Sequence, residues 1–249
     1  MFQVEEPRAG VAVLRIDDGK VNAMGLDYLA AFPKAFREAG KGDRAVVLIG
    51  NAKAFGAGLD LKTLPTFTEA QSLEFCRAFM QAFHDVLTHP RPVVAAVDGP
   101  AIAGGAVLSL SSDFRLVTPR AKLGVTEVPV GVPFPYPVLN LCRSLLPPQE
   151  HAPALLQGAI REGEACVTTG WAHRLVPGER LREEAIALAA ELASMSPLAY
   201  ARAKRDLNGP VVADFERFLK TGVEDWVAAL RDPVSQQAIT SFMARLAKK

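Results

Sequence analysis

The sequence predicts an α/β protein with a helical C-terminal region. Three observations carry that prediction. Short β-branched runs alternate with segments whose apolar residues recur at helical spacing. Several of these runs are apolar throughout, as strands covered on both faces are. The last third keeps the helical spacing but loses the intervening strands.

The first run, Val11–Ile16 (VAVLRI), reads as a strand, and the Asp-Asp-Gly-Lys of residues 17–20 as a turn after it. Leu26–Ala39 is helical, with Leu29, Phe32 and Phe36 on one face. Ala45–Ile49 (AVVLI) is a buried strand. Residues 68–87 form a second helix, with Leu73, Phe75, Phe79 and Phe83 near one face, stopped by Pro90 and Pro92. Val93–Val97 is another buried strand, Gly104–Leu110 a short buried helix and Phe114–Val117 a strand. Helices follow at 183–193, 197–207, 212–219, 224–230 and 235–248. The architecture changes near 194–197, which divides the chain into a core at 1–195 and a helical region at 196–249.

Composition narrows the function. The chain has 249 residues, 49% of them hydrophobic, enough for a sizeable core. Its formal net charge of +1 offers no field for nucleic acid or an anionic membrane. The uncharged stretch 99–112 is too short to span a bilayer, and residues 1–10 do not read as a secretory leader. Cys76, Cys142 and Cys166 lack CxxC spacing, which fits neither a disulfide frame nor a zinc site and suits a reducing, cytoplasmic setting. His84, His89, His151 and His173 have no ligand spacing, so no metal is expected. A dinucleotide fingerprint, a Walker A loop and a GxSxG elbow are all missing. A small-molecule ligand remains.

Two glycine-containing segments each follow a buried strand: residues 54–62 (AFGAGLDLK) and 98–105 (DGPAIAGG). Loops after strand C-termini are where α/β proteins bind ligands. If Gly104 opens a helix, its N–H is unpaired at the positive end of the helix dipole and can face a developing oxyanion. Two ordinary turns are the alternative reading. In a third segment, 121–131 (AKLGVTEVPVG), Glu127 sits among Val125, Val128 and Val130. Apolar surroundings raise a carboxylate's pKa and suit it to proton transfer, whereas a solvent-facing Glu at a strand end would be inert.

Taken together and in this order, the three segments resemble the crotonase superfamily, the enoyl-CoA hydratase/isomerase family. Leu59 and Gly104 stand 45 residues apart, and Glu127 a further 23. Residues 19–24 (GKVNAM) resemble the family's early CoA-contacting loop, and Ser196-Pro197-Leu198-Ala199 with Lys204 its trimerisation helix. The resemblance implies a ClpP-like spiral of ββα units and a homotrimer or dimer of trimers. It implies an acyl-CoA thioester substrate and no separate cofactor. The thioester carbonyl would lie between the backbone N–H groups of Leu59 and Gly104. Val21, Ala23, Ala57, Gly58 and Asp60 would lie beside the CoA. Lys20 and Lys62 would reach its phosphates, or else be solvated surface lysines.

The departures bear on the reaction. Hydratases of the family use two glutamates, and the first falls at Val107 here. Their water-holding amide falls in residues 131–137 (GVPFPYP), at or near Pro135, which has no N–H. Thr126-Glu127 followed by Gly131 and Phe134 is similar to single-glutamate Δ3,Δ2-enoyl-CoA isomerases of β-oxidation. Val107, Val130, Val132 and Phe134 would exclude water. A hydratase with a second group from Glu69, Glu74 or Asp85, or a non-catalytic CoA binder, are the alternatives. Oligomerisation through 196–249 is expected from Phe215, Phe218, Leu219, Trp226, Val227 and Leu230, which supply more apolar surface than a thin appendage buries, unless they pack on their own core.

Overall fold

The computed structural model describes residues 1–246. In chain order its strands are β1 (Phe2–Arg8), β2 (Val11–Ile16), β3 (Ala45–Ile49), β4 (Val93–Val97), β5 (Pro100–Ile102), β6 (Phe114–Val117), β7 (Lys122–Gly124), β8 (Arg161–Glu162) and β9 (Arg174–Leu175). Its α-helices are α1 (Leu26–Ala39), α2 (Glu69–Thr88), α3 (Gly104–Leu110), α4 (Glu127–Val130), α5 (Tyr136–Leu145), α6 (Pro148–Leu155), α7 (Glu164–Thr168), α8 (Leu181–Ala193), α9 (Pro197–Thr221), α10 (Val223–Arg231) and α11 (Pro233–Leu246).

The larger sheet has the order β1-β2-β3-β4-β6-β9. β2, β3, β4, β6 and β9 run parallel, and β1 closes one edge antiparallel to β2. The continuous apolar runs have a physical reason, because alternate residues face opposite ways and both faces are covered. Val46 and Leu48 join a core with Tyr28, Phe32, Phe36, Phe79 and Phe83 from α1 and α2. Ala45 and Val47 join a second core with Leu181, Ala185, Leu188 and Leu192 of α8. Helix α2 starts where a capping box starts it: Thr68 accepts from the Gln71 N–H, and the Gln71 side chain accepts from the Thr68 N–H.

Six expected elements match their bounds: Val11–Ile16, Leu26–Ala39, Ala45–Ile49, Val93–Val97, Gly104–Leu110 and Phe114–Val117. Others differ. Strand β1 carries no apolar run and is held by pairing with β2. The 98–105 segment contains the strand β5, which joins β7 and β8 in a second, three-stranded sheet. The helices expected at 197–207 and 212–219 are one 25-residue helix, α9, running through Pro210. An interior proline removes one helical hydrogen bond. Tertiary packing overrides that break: α9 lies against α2 and α5 and buries Val211, Phe215 and Phe218. Lys204, nearly buried on the same helix, pairs with Asp113 at 2.9 Å. The last helix ends at Leu246; residues 247 and 248 of the expected 235–248 lie outside the described residues.

Phe215, Phe218, Trp226, Val227 and Leu230 are buried in the chain's own core, and Leu219 packs against it. The expectation that they leave surplus apolar surface is therefore corrected. Among the described residues, the large apolar side chains exposed in this region are instead Leu198, Leu207, Val234 and Leu246. Among the described residues no helix is long and apolar enough to cross a membrane.

Candidate active site

The two glycine-containing segments meet. Gly56 pairs with Ala101 of β5, and the Ile102 N–H donates to the Gly56 carbonyl at 2.9 Å. Only glycine permits the approach. A Cβ at Gly105 would lie 2.1 Å from the Gly56 oxygen, and one at Gly58 (φ +77°) would lie 2.7 Å from the Gly104 nitrogen. Met24 brackets the neighbouring residue: its N–H donates to the Gly58 carbonyl at 2.7 Å, and its carbonyl accepts from the Asp60 N–H at 3.2 Å. Between those bonds the Leu59 N–H has no protein acceptor among the described residues. Nor does that of Gly104, which opens α3. Ala103, just before it, is held at φ +50° by donating its N–H to the Gly124 carbonyl of β7. Both amides assigned from the sequence are thus free, on segments in contact.

The same β7 leads into α4, a single turn that starts at Glu127. Gly131, left-handed at φ +89°, ends it and donates its N–H back to the Glu127 and Val128 carbonyls. Glu127 is 7% exposed, and its Oε2 is buried without a hydrogen-bond partner. Burial pushes its pKa up to about 7, opposed in part by a hydrogen bond from its own N–H. The solvent-facing reading of Glu127 is therefore excluded. A carboxyl poised there can take and return a proton near neutrality.

A cavity of about 340 Å³ connects these groups. Leu59, Ala103 and Glu127 line it, as do Val21, Ala23, Ala57, Asp60 and Lys62. Val130 and Val132 make its apolar wall, and α11 adds Phe242, Met243 and Leu246, none of which the sequence reading assigned to the site. The only signal for them was the apolar spacing of the last helix, which is equally a core signal. Gly58 and Gly104 do not line the cavity, although their chain neighbours Ala57, Leu59 and Ala103 do. Three further expected residues do not line it either. Lys20 is exposed outside it, Val107 is buried in α3, and Phe134 packs against the core. Glu69 and Glu74 are exposed, Asp85 accepts from Gln81, and none of the three reaches the cavity. Asp60 is the second carboxylate on the wall. Its Oδ1 accepts from the Lys62 N–H at 3.1 Å. No cluster of His, Cys, Asp and Glu among the described residues could hold a metal ion.

Known proteins resemble this chain in sequence and in fold. A sequence model of the enoyl-CoA hydratase/isomerase family matches residues 6–247. A Thermus thermophilus protein described as a putative enoyl-CoA hydratase is 38% identical over 202 residues, 79% of each chain. A solved Mycobacterium tuberculosis structure, described as an enoyl-CoA isomerase, superposes with a TM-score of 0.83 at 27% identity, covering 92% of this chain and 97% of that one. Human mitochondrial Δ3,Δ2-enoyl-CoA isomerase superposes with a TM-score of 0.94 over 99% of this chain and 98% of its own. At 21% identity that likeness speaks for the fold alone.

Proposed function

The chain belongs to the enoyl-CoA hydratase/isomerase family and has the crotonase fold, and from that premise we propose that it shifts the double bond of a 3-enoyl-CoA to the 2-position. The observation that carries this reading is Glu127, a buried carboxyl without a partner in an apolar cavity that it shares with Leu59 and Ala103, next to the free amides of Leu59 and of Gly104, the residue after Ala103. The thioester oxygen accepts hydrogen bonds from the Leu59 and Gly104 N–H groups. Polarisation there acidifies the C2 proton, which Glu127 removes. The resulting dienolate keeps its negative charge on the oxygen between the amides. Glu127 then returns the proton at C4, so one carboxyl serves as base and acid in turn. Val130 and Val132 keep water from the dienolate. Substrate CoA lies along Val21, Ala23, Ala57 and Asp60, with Lys62 near its phosphates. Lys20, outside the cavity, takes no part in this arrangement.

Hydration is the second reading, favoured by Asp60 on the cavity wall and by the description of the Thermus relative. Isomerisation needs one carboxyl; adding water across C2=C3 benefits from two. The deciding experiment supplies 3-enoyl-CoA and 2-enoyl-CoA separately to wild type and Asp60→Asn, with products followed by mass spectrometry. Isomerisation by both proteins with slow hydration is the expected result. Fast hydration by wild type that Asp60→Asn abolishes would replace the isomerase reading.

A further inference from the structure

We infer that Asn22 is a positioning residue that sets where the Leu59 N–H points, an inference resting on the carbonyl-polarising role of that amide. Asn22 does not line the cavity, although its neighbours Val21 and Ala23 do. It is 0% exposed and adopts φ +55°, a left-handed conformation that Asn tolerates better than most residues. Ala103, before the other free amide, is also left-handed at φ +50°.

Every polar atom of the Asn22 side chain is engaged. Nδ2 donates to the carbonyls of Ile16 at 2.9 Å, Ala54 at 3.0 Å and Phe55 at 3.3 Å. Oδ1 accepts from the Asp18 N–H at 3.0 Å and from Asn51 Nδ2 at 3.3 Å. One side chain therefore pins together the end of β2, the turn after it and the loop after β3. Asn51 continues the network. Its Oδ1 accepts from the Lys53 and Ala54 N–H groups at 2.8 and 3.0 Å, and its Nδ2 donates to the Lys20 carbonyl at 3.0 Å.

Two residues beyond Asn22, Met24 makes the two bonds that bracket Leu59. The Leu59 amide is thus fixed at both ends of its loop: through Ala54 and Phe55 on one side, through Gly58 and Asp60 on the other. Asn22 anchors the segment after β2 from which both sets of bonds come. Burying an amide is costly unless all its hydrogen bonds are made, and here they are made to the segment that carries the working N–H. No apolar residue of similar size can hold three carbonyls in this way.

The test is Asn22→Asp, nearly isosteric, which sets an acceptor against the Ile16, Ala54 and Phe55 carbonyls. Misplacing a reacting group by about 1 Å costs roughly 10²-fold, so kcat should fall by up to about that factor while KM changes little. The second readout is the infrared stretch of the thioester carbonyl of a bound saturated acyl-CoA. It should be lowered on binding wild type and less lowered on binding Asn22→Asp. It needs no turnover and so does not depend on which reaction the enzyme catalyses. A wild type that leaves the carbonyl unshifted overturns the amide reading and this inference with it. A shift in wild type that survives intact in folded Asn22→Asp, with kcat unchanged, overturns the Asn22 inference alone. If Asn22→Asp does not fold, Asn22→Gly keeps the left-handed backbone and is read the same way. Failure of both to fold would make Asn22 a stability residue and overturn the inference.

Discussion

Glu127 keeps its proton up to about pH 7 because its carboxyl is buried and one oxygen has no donor. Two consequences follow from that shift. In the proposed isomerisation the base form removes the C2 proton, so kcat/KM should rise with pH up to about 7 and then level off. Glu127→Gln should lose 10²–10⁴-fold in turnover, roughly what a general base contributes, while retaining acyl-CoA affinity. Stability moves the other way. Below the ordinary value of 4.5 the group is protonated in folded and unfolded chains alike. Between 4.5 and about 7 only the unfolded chain releases its proton, so stability falls as pH rises. Above 7 the full penalty applies, about 3 kcal/mol for a shift of this size. Glu127→Gln lacks the penalty and should be more stable than wild type at pH 8, with little difference at pH 4.5. Urea unfolding at both values checks it, and equal curves at pH 8 would contradict the buried, unpartnered carboxyl.

At the scale of elements, the proposed mechanism uses one loop and one helix start through their main chain, so side-chain chemistry there should matter little. Leu59→Ala should keep most activity. Gly104→Pro should lose about 10²–10³-fold in kcat, the usual cost of one oxyanion donor. Proline is accepted at a helix's first position, but a Cβ there would lie 2.8 Å from Phe79, so circular dichroism must first establish the fold. Equal damage from both substitutions in folded proteins would refute the backbone assignment. Helix α9 offers a test of a different kind. Lys204 donates to Asp113, whose Oδ2 also accepts from the Val93 N–H of β4. Burial lowers the Lys204 pKa, and Asp113 partly restores it. Lys204→Ala strands the Asp113 charge and should cost about 3–5 kcal/mol, measured by denaturant unfolding. A loss below 1 kcal/mol would mean that apolar packing alone carries α9 over Pro210.

For the whole molecule, we propose self-association through the helical region 196–249. Leu198 and Leu207 of α9 are 66% and 81% exposed, on a helix whose other face is buried against α2 and α5. Light scattering should give a trimer or a multiple of it, and Leu207→Glu should shift it toward monomer; a wild-type monomer at micromolar concentration would end the proposal. The central sheet and its first helices were legible because burial on both faces and a one-sided apolar stripe leave periodic marks in a local stretch of chain. Glu127 was legible as a carboxyl among valines, and Leu59 and Gly104 through their glycine-containing loops. The rest depended on residues far apart in sequence. Pro210 reads locally as a stop, yet packing carries α9 through it. The aromatic residues of the last helices read as surplus surface for oligomerisation, and only the packing showed that Phe215, Phe218 and Trp226 are core. The sequence by itself determined which residue types were available to the site and their order along the chain. Only the tertiary structure decided which of them share a cavity: it admitted Asp60, Lys62 and Phe242 and left out Lys20, Gly58, Gly104, Val107 and Phe134. The physical reason is that helical hydrogen bonding and hydrophobic periodicity act between near neighbours in sequence, whereas cavity walls are assembled from loops and helix ends that meet only after the sheet has packed.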